Sequence, residues 1–101
     1  MSYRGFEFRW SEGKNLKLKS ERDLSFEQVM AAIENGQLLA DIDHPQASRK
    51  GLQRILVVEI NDYACAVPYV EEGSHLFLKT IYYSRAMQKK YKVTHDKTKN
   101  P

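Results

Sequence analysis

Three side chains in this sequence stand where chemistry could be done: His44, Lys79 and Arg85. Lys79 interrupts the apolar run Leu76-Phe77-Leu78-Lys79-Thr80-Ile81-Tyr82-Tyr83, and period-two alternation places it on one face with Phe77, Ile81 and Tyr83. A charge among aromatic rings must snorkel, pair or serve a site; the alternative is a lysine that packs its stem on tyrosines. Arg85 falls in the first turn of a predicted C-terminal helix. A cation there gains nothing from the helix dipole, but together with free N–H groups it would cradle a phosphate. Otherwise it is a surface arginine. His44 follows Asp41 and Asp43 on a predicted loop and is the candidate acid or base. His75 and His95 read as surface positions. There is no glycine-rich phosphate loop, no nucleophile elbow and no pair of histidines four apart, so no familiar catalytic spacing is present.

The chain that must position these groups has 101 residues, the size of one domain, which excludes a large multi-site enzyme. With 42% hydrophobic and 29% charged residues it holds enough apolar surface for a core and too many interleaved charges for a membrane span. The single cysteine, Cys65, excludes an internal disulfide and fits a reducing compartment. The first residues lack the apolar run of a signal peptide, so the expected location is the cytoplasm. The net charge of +3 is unevenly spread: residues 1–84 hold ten Lys/Arg against twelve Asp/Glu, and residues 85–101 hold six against one. Further basic clusters are Arg9, Lys14, Lys17, Lys19 and Arg22, and Arg49, Lys50 and Arg54. Gathered on one face they suit a phosphate-bearing partner; scattered, they are solvated surface.

The alternation of Phe6, Phe8 and Trp10 predicts a first strand. Ser11 then caps a lysine-rich helix, 12–22, whose apolar stripe is Leu16 and its neighbours. Ser25 and Gln28 form a capping box and Leu24 and Val29 a hydrophobic staple. Phe26, Val29, Met30 and Ile33 follow helical spacing, so a second helix is predicted over 26–35 with Gly36 as its left-handed C-terminal cap. Strands follow at 38–42, 55–60, 63–70 and 75–83, with a loop at 45–53 and a two-residue hairpin turn at Asn61-Asp62. Pro68 predicts a bulge or one exposed side in its strand. Ser84 caps a last helix, 85–92, with Met87 and Tyr91 inward. The expected architecture is α+β: an antiparallel sheet built from a strand, two helices and a meander, closed by a C-terminal helix, in a single domain 1–93 with a flexible basic tail at 94–101.

Within this frame, the runs Phe8-Arg9-Trp10-Ser11-Glu12-Gly13-Lys14-Asn15, Asp23-Leu24-Ser25-Phe26-Glu27 and Lys79-Thr80-Ile81-Tyr82-Tyr83-Ser84-Arg85-Ala86, closing at Tyr91, resemble the BrnT-type toxins of bacterial toxin–antitoxin pairs. The resemblance covers about residues 6–91. Ser11, Lys79 and Tyr83 depart from the family pattern. It implies a RelE-like fold and a metal-independent endoribonuclease, without cofactor, that inhibits translation. It further implies neutralisation by a small antitoxin that also binds operator DNA, the two forming a hetero-oligomer. Under it, Lys79 and Arg85 hold the phosphate and stabilise the transition state, and His44 is the acid or base. Lys14, Arg54, Tyr83, Tyr91 and Lys89 contact RNA, the two tyrosines by stacking a splayed base unless they pack the core. The competing expectation is a non-enzymatic nucleic-acid or protein interaction module that uses the same cations only to bind; a DNA-binding helix is a third. The nuclease reading requires Lys79 and Arg85 to converge on one hollow.

Overall fold

In a computed structural model of the protein, residues 2–43 and 53–93 are described. His44, the expected loop up to residue 52 and the expected tail lie outside them. The chain is α+β. Strand β1 (Ser2–Tyr3) turns through Arg4 and Gly5 into β2 (Phe6–Trp10), and helices α1 (Glu12–Arg22) and α2 (Phe26–Glu34) follow. The rest is β3 (Leu38–Asp43), β4 (Gln53–Ile60), β5 (Tyr63–Glu72), β6 (His75–Leu78), β7 (Tyr82–Tyr83) and α3 (Arg85–Tyr91). No helix among these is long and apolar enough to cross a membrane.

The helix signals act as physical chemistry requires. Ser25 Oγ accepts from the Gln28 N–H while Gln28 Oε1 accepts from the Ser25 N–H, closing the capping box. At the other end Gly36 takes φ +76°, and Gln37 N–H bonds Ala32 C=O (2.8 Å) while Gly36 N–H bonds Ile33 C=O (3.3 Å), a Schellman stop. In α1 the buried side chains are Asn15 and Leu18, whereas Leu16, expected on the apolar stripe, is 64% exposed. Asn15 is buried because it is fully used: its Oδ1 accepts from the Phe26 N–H (2.8 Å), an orphan donor of α2, and its Nδ2 donates to Glu27 (2.9 Å).

The sheet order is β1-β2-β6-β5-β4-β3, with β7 also on β5. The meander from β3 to β6 is antiparallel, as expected, but β2 pairs parallel with β6, so the sheet is mixed rather than antiparallel. A parallel neighbour needs a long crossover, and the chain between Trp10 and His75 supplies one. The β4–β5 turn is Asn61-Asp62, both with positive φ (55° and 63°), as a two-residue turn of matching twist demands.

Pro68 produces a bulge, but in the neighbouring strand. The β4–β5 register runs unbroken through Ile55↔Pro68. On the other side Tyr69 pairs Leu78 and Ala66 pairs Tyr82, so the facing chain spends four steps where β5 spends three. The extra residue reverses the alternation between residues 79 and 81, and Ile81 lies buried with Leu76 and Leu78. The expected shared face of Lys79 with Phe77, Ile81 and Tyr83 is therefore broken.

Both sides of the sheet are covered. Leu56, Val58, Cys65, Val67 and Leu78 pack under Leu18, Leu24, Phe26 and Val29 of the α1–α2 layer, with Trp10 stacked on Phe26 at 5.4 Å. Ile55, Val57, Ala64 and Ala66 pack under Met87, Tyr91 and Val93 of the α3 side. Burial on both faces explains the unbroken apolar run Ile55–Val58 in β4. Phe26→Ala should lower the unfolding free energy by about 3–5 kcal/mol, and Ser25→Ala by about 1 kcal/mol, both read from urea unfolding curves.

Candidate nucleic-acid interface

At the β4–β5 turn, four side chains from the turn, β5, β7 and α3 line one hollow of about 380 Å³: Asn61, Tyr63, Tyr83 and Arg85. That volume lies in the range of small-ligand sites, about 300–1,000 Å³. The hairpin turn projects Asn61, whose Nδ2 donates to Asp23 C=O (3.1 Å) and to Tyr83 Oη (2.9 Å). Tyr83 in turn donates its hydroxyl to Arg22 C=O (3.3 Å) and meets Tyr63 edge-on, with ring centroids 5.9 Å apart. The end of α1 is tied to the same place, since Arg22 Nη1 donates to Ile81 C=O at 2.7 Å.

Arg85 is carried there by the start of α3. Ser84 N–H bonds Ala64 C=O (3.0 Å), Ser84 Oγ accepts from Met87 N–H (3.1 Å), and Gln88 Oε1 accepts from Ala64 N–H (2.9 Å). Both polar groups of Ala64 are thereby spent on α3, which locks the helix to β5. Arg85 itself is exposed and has no ion pair or hydrogen bond among the described residues. Lys89 follows at i+4 and Lys92 caps the helix end, both exposed and without an ion pair among the described residues, so α3 carries free positive charge beyond Arg85. Tyr82 and Tyr83 are each 39% exposed, which leaves aromatic surface open beside that charge.

Of the residues singled out from sequence, Tyr83 and Arg85 come together here, with Lys89 one turn further along α3. Lys79 does not. It is exposed and lines a smaller hollow of about 110 Å³ with Gln53, Pro68, Tyr69 and Val70, its N–H bonded to Pro68 C=O. Pro68 and Ala64, the β5 residues bonded by Lys79 and Ser84, are four positions apart, about 13 Å of strand at 3.3 Å per residue. The convergence of Lys79 and Arg85 on a common hollow is thus not what the structure shows. Lys14 lies in the first turn of α1, across the sheet from α3, and Tyr91 is half-buried against Ile55, Val57, Ala64 and Ala66. His44 lies outside the described residues.

Arg54 belongs to a different cluster, unforeseen from the sequence. Asp41 accepts from Tyr69 Oη (2.7 Å), Tyr3 Oη (3.0 Å) and Arg54 Nε (3.0 Å), and Arg54 also donates to Asp41 C=O (2.8 Å) and to Asp43. Arg4 approaches at 3.4 Å. These groups, with Phe6, Glu71 and Leu76, line a second hollow of about 380 Å³. Every guanidinium nitrogen of Arg54 is engaged by an acceptor on Asp41 or Asp43, so the cluster is a charge-balanced brace across β1, β3, β4 and β5 rather than a free cation. Hydrogen bonding to Asp41 raises the Arg54 pKa further, and burial followed by the Asp41 bond raises those of Tyr69 and Tyr3. The sequence signal for this brace was Asp41 alternating with apolar neighbours in β3. Among the described residues no group of acidic, histidine or cysteine side chains could hold a metal ion.

Comparison with protein-family models, with curated proteins and with solved structures finds no significant match.

Burial pushes the Cys65 thiol up to about 12 from 9.0, and the Tyr69 phenol up as well. Both groups are held neutral in the fold, so their contribution is complete below their unfolded pKa values and is lost as pH rises above about 9. The urea midpoint should fall between pH 9 and 12, more shallowly in Cys65→Ala. Tyr83→Phe, which removes the hydroxyl joining Asn61 to Arg22, should cost about 1 kcal/mol in the same unfolding measurement at pH 7.

Proposed function

We propose that the protein acts on RNA as the toxin of a BrnT-type toxin–antitoxin pair: a RelE-like endoribonuclease of the cytoplasm that inhibits translation until a small DNA-binding antitoxin covers it, with cleavage carried by the cations at the Arg85 hollow and not by a Lys79–Arg85 pair, since those two side chains line separate hollows. The observation that carries this reading is the hollow of Asn61, Tyr63, Tyr83 and Arg85, the last on the helix that also bears Lys89 and ends at Lys92, cations without an ion pair among the described residues. Proteins hold single-stranded RNA by stacking splayed bases on aromatic rings and drawing the phosphates along cations. Tyr63 and Tyr83 offer the rings, and Arg85, Lys89 and Lys92 the charge. The resemblance of residues 6–91 to the toxin family, and the order strand, two helices, meander and helix, support the same reading.

In cleavage by attack of the neighbouring 2′-hydroxyl, negative charge grows on the phosphorane oxygens. A cation aimed there would stabilise it by about 2.7–4 kcal/mol, the scale measured for one such donor. A second reading, an RNA-binding module without cleavage, is favoured by one observation: no carboxylate or imidazole is among the residues lining the Arg85 hollow. The two readings part in one experiment. Induced expression should arrest growth, and the purified protein should shorten a single-stranded RNA without added metal, at least tenfold more slowly in Arg85→Ala. RNA that is bound but never shortened selects the module. For either reading, log affinity against log salt should fall with a slope between about −1.4 and about −2, from about 0.7 per neutralised phosphate for two to three cations.

A further inference from the structure

The hollow at the β4–β5 turn has an inventory of free groups that narrows what it can hold. Both N–H bonds of the Asn61 amide are spent, one on Asp23 C=O and one on Tyr83 Oη. Because a backbone carbonyl only accepts, the Asp23 bond fixes which end of the amide is nitrogen, and the group that Asn61 has left for a ligand is its acceptor, Oδ1. The Tyr83 hydroxyl is likewise spent, accepting from Asn61 and donating to Arg22, so its ring rather than its polar tip is on offer. Arg85 brings the opposite complement: a planar fork of donors with no partner among the described residues and no carboxylate in the lining to neutralise it. A ligand matching the hollow therefore needs a flat face, two adjacent acceptors for the fork, and an N–H donor for Asn61.

Resting on the RNA reading above, we propose that this hollow is a guanine subsite. The base lies against Tyr83, its O6 and N7 accept the two N–H bonds of Arg85, and its N–H edge donates to Asn61 Oδ1. Guanine is the base whose O6 and N7 form an adjacent acceptor pair, the partner arginine reads bidentately. Adenine sets an amino group beside N7, opposing a donor with a donor. Cytosine can turn O2 and N3 to the fork but presents a single ring for stacking, and uracil has no such pair. Arg85 on this assignment reads the base, while Lys89 and Lys92 meet the phosphates on either side.

The test measures fluorescence anisotropy of the full chain with uridine heptamers carrying guanine, adenine, cytosine or 7-deazaguanine at the centre. The guanine probe should bind on the order of tenfold tighter than the adenine probe. The 7-deazaguanine probe, which lacks the N7 acceptor, should fall back to the adenine value. Arg85→Lys keeps the charge without the fork and should make guanine and adenine equal, with a thermal melt to verify that the variant is folded. Comparable tight binding of all four probes, or a cytosine probe that binds tightest, overturns the guanine assignment and leaves the RNA reading standing. A guanine preference that survives in folded Arg85→Lys overturns the role given to Arg85. The wild-type comparison of guanine with 7-deazaguanine decides the matter even where the variant does not fold. Failure to bind any heptamer removes both this inference and the RNA reading on which it rests.

Discussion

The missing N–H of Pro68 shapes this molecule more than any group that is present. In an antiparallel ladder a residue turns its N–H and its C=O toward the same neighbour. Pro68 directs its carbonyl to Lys79 and has nothing to donate beside it. The facing chain cannot keep regular register past such a position without stranding an acceptor, and it takes up one extra residue between Leu78 and Tyr82. From that local accommodation follow the burial of Ile81 in the α1–α2 core, the separation of Lys79 from the residues after it, and the delivery of Tyr83 to the β4–β5 turn. The start of α3, and with it Arg85, is set by the same event.

A second theme is the use of single polar side chains to join elements that have no other reason to align. Asn15 closes an orphan donor of α2 from within α1, Gln88 ties α3 to the edge of β5, Asn61 joins the hairpin turn to the end of α1, and Asp41 gathers hydroxyls and a guanidinium from three further strands. Asn15, Gln88 and Asp41 are satisfied at short distance, which is what allows them to sit partly or wholly out of water, whereas Asn61 makes its bonds at the surface. The cost of leaving any one of them unpaired makes the arrangement specific as well as stable.

The same accounting separates cations that build the fold from those left for a ligand. Arg54 is spent on two aspartates, and Arg22 gives one N–H to the Ile81 carbonyl. Arg85, at the opposite end of β4 from Arg54, and Lys89 and Lys92 after it have no ion pair among the described residues. A net charge of +3 says little about where a polyanion would dock. The distribution of unspent charge, and the aromatic surface next to it, says considerably more.

Local rules made much of this chain legible. The capping box at Ser25, the stop at Gly36, the turn at Asn61-Asp62, the meander and the α+β class all depend on neighbours within a few residues, and such interactions are written directly in the order of the side chains. Arg85 was visible as a candidate because a cation in a first helical turn is a local oddity, while Tyr83 and Lys89 were named by the family resemblance. Tertiary structure alone decided the rest. The parallel pairing of β2 with β6, the face on which Ile81 lies, the enlistment of Arg54 by Asp41, and the distance between Lys79 and Arg85 are set by which strands come to lie side by side and by one residue of slip between them. A periodicity read along the chain carries no record of a bulge forced from across the ladder, because the residue responsible belongs to the neighbouring strand.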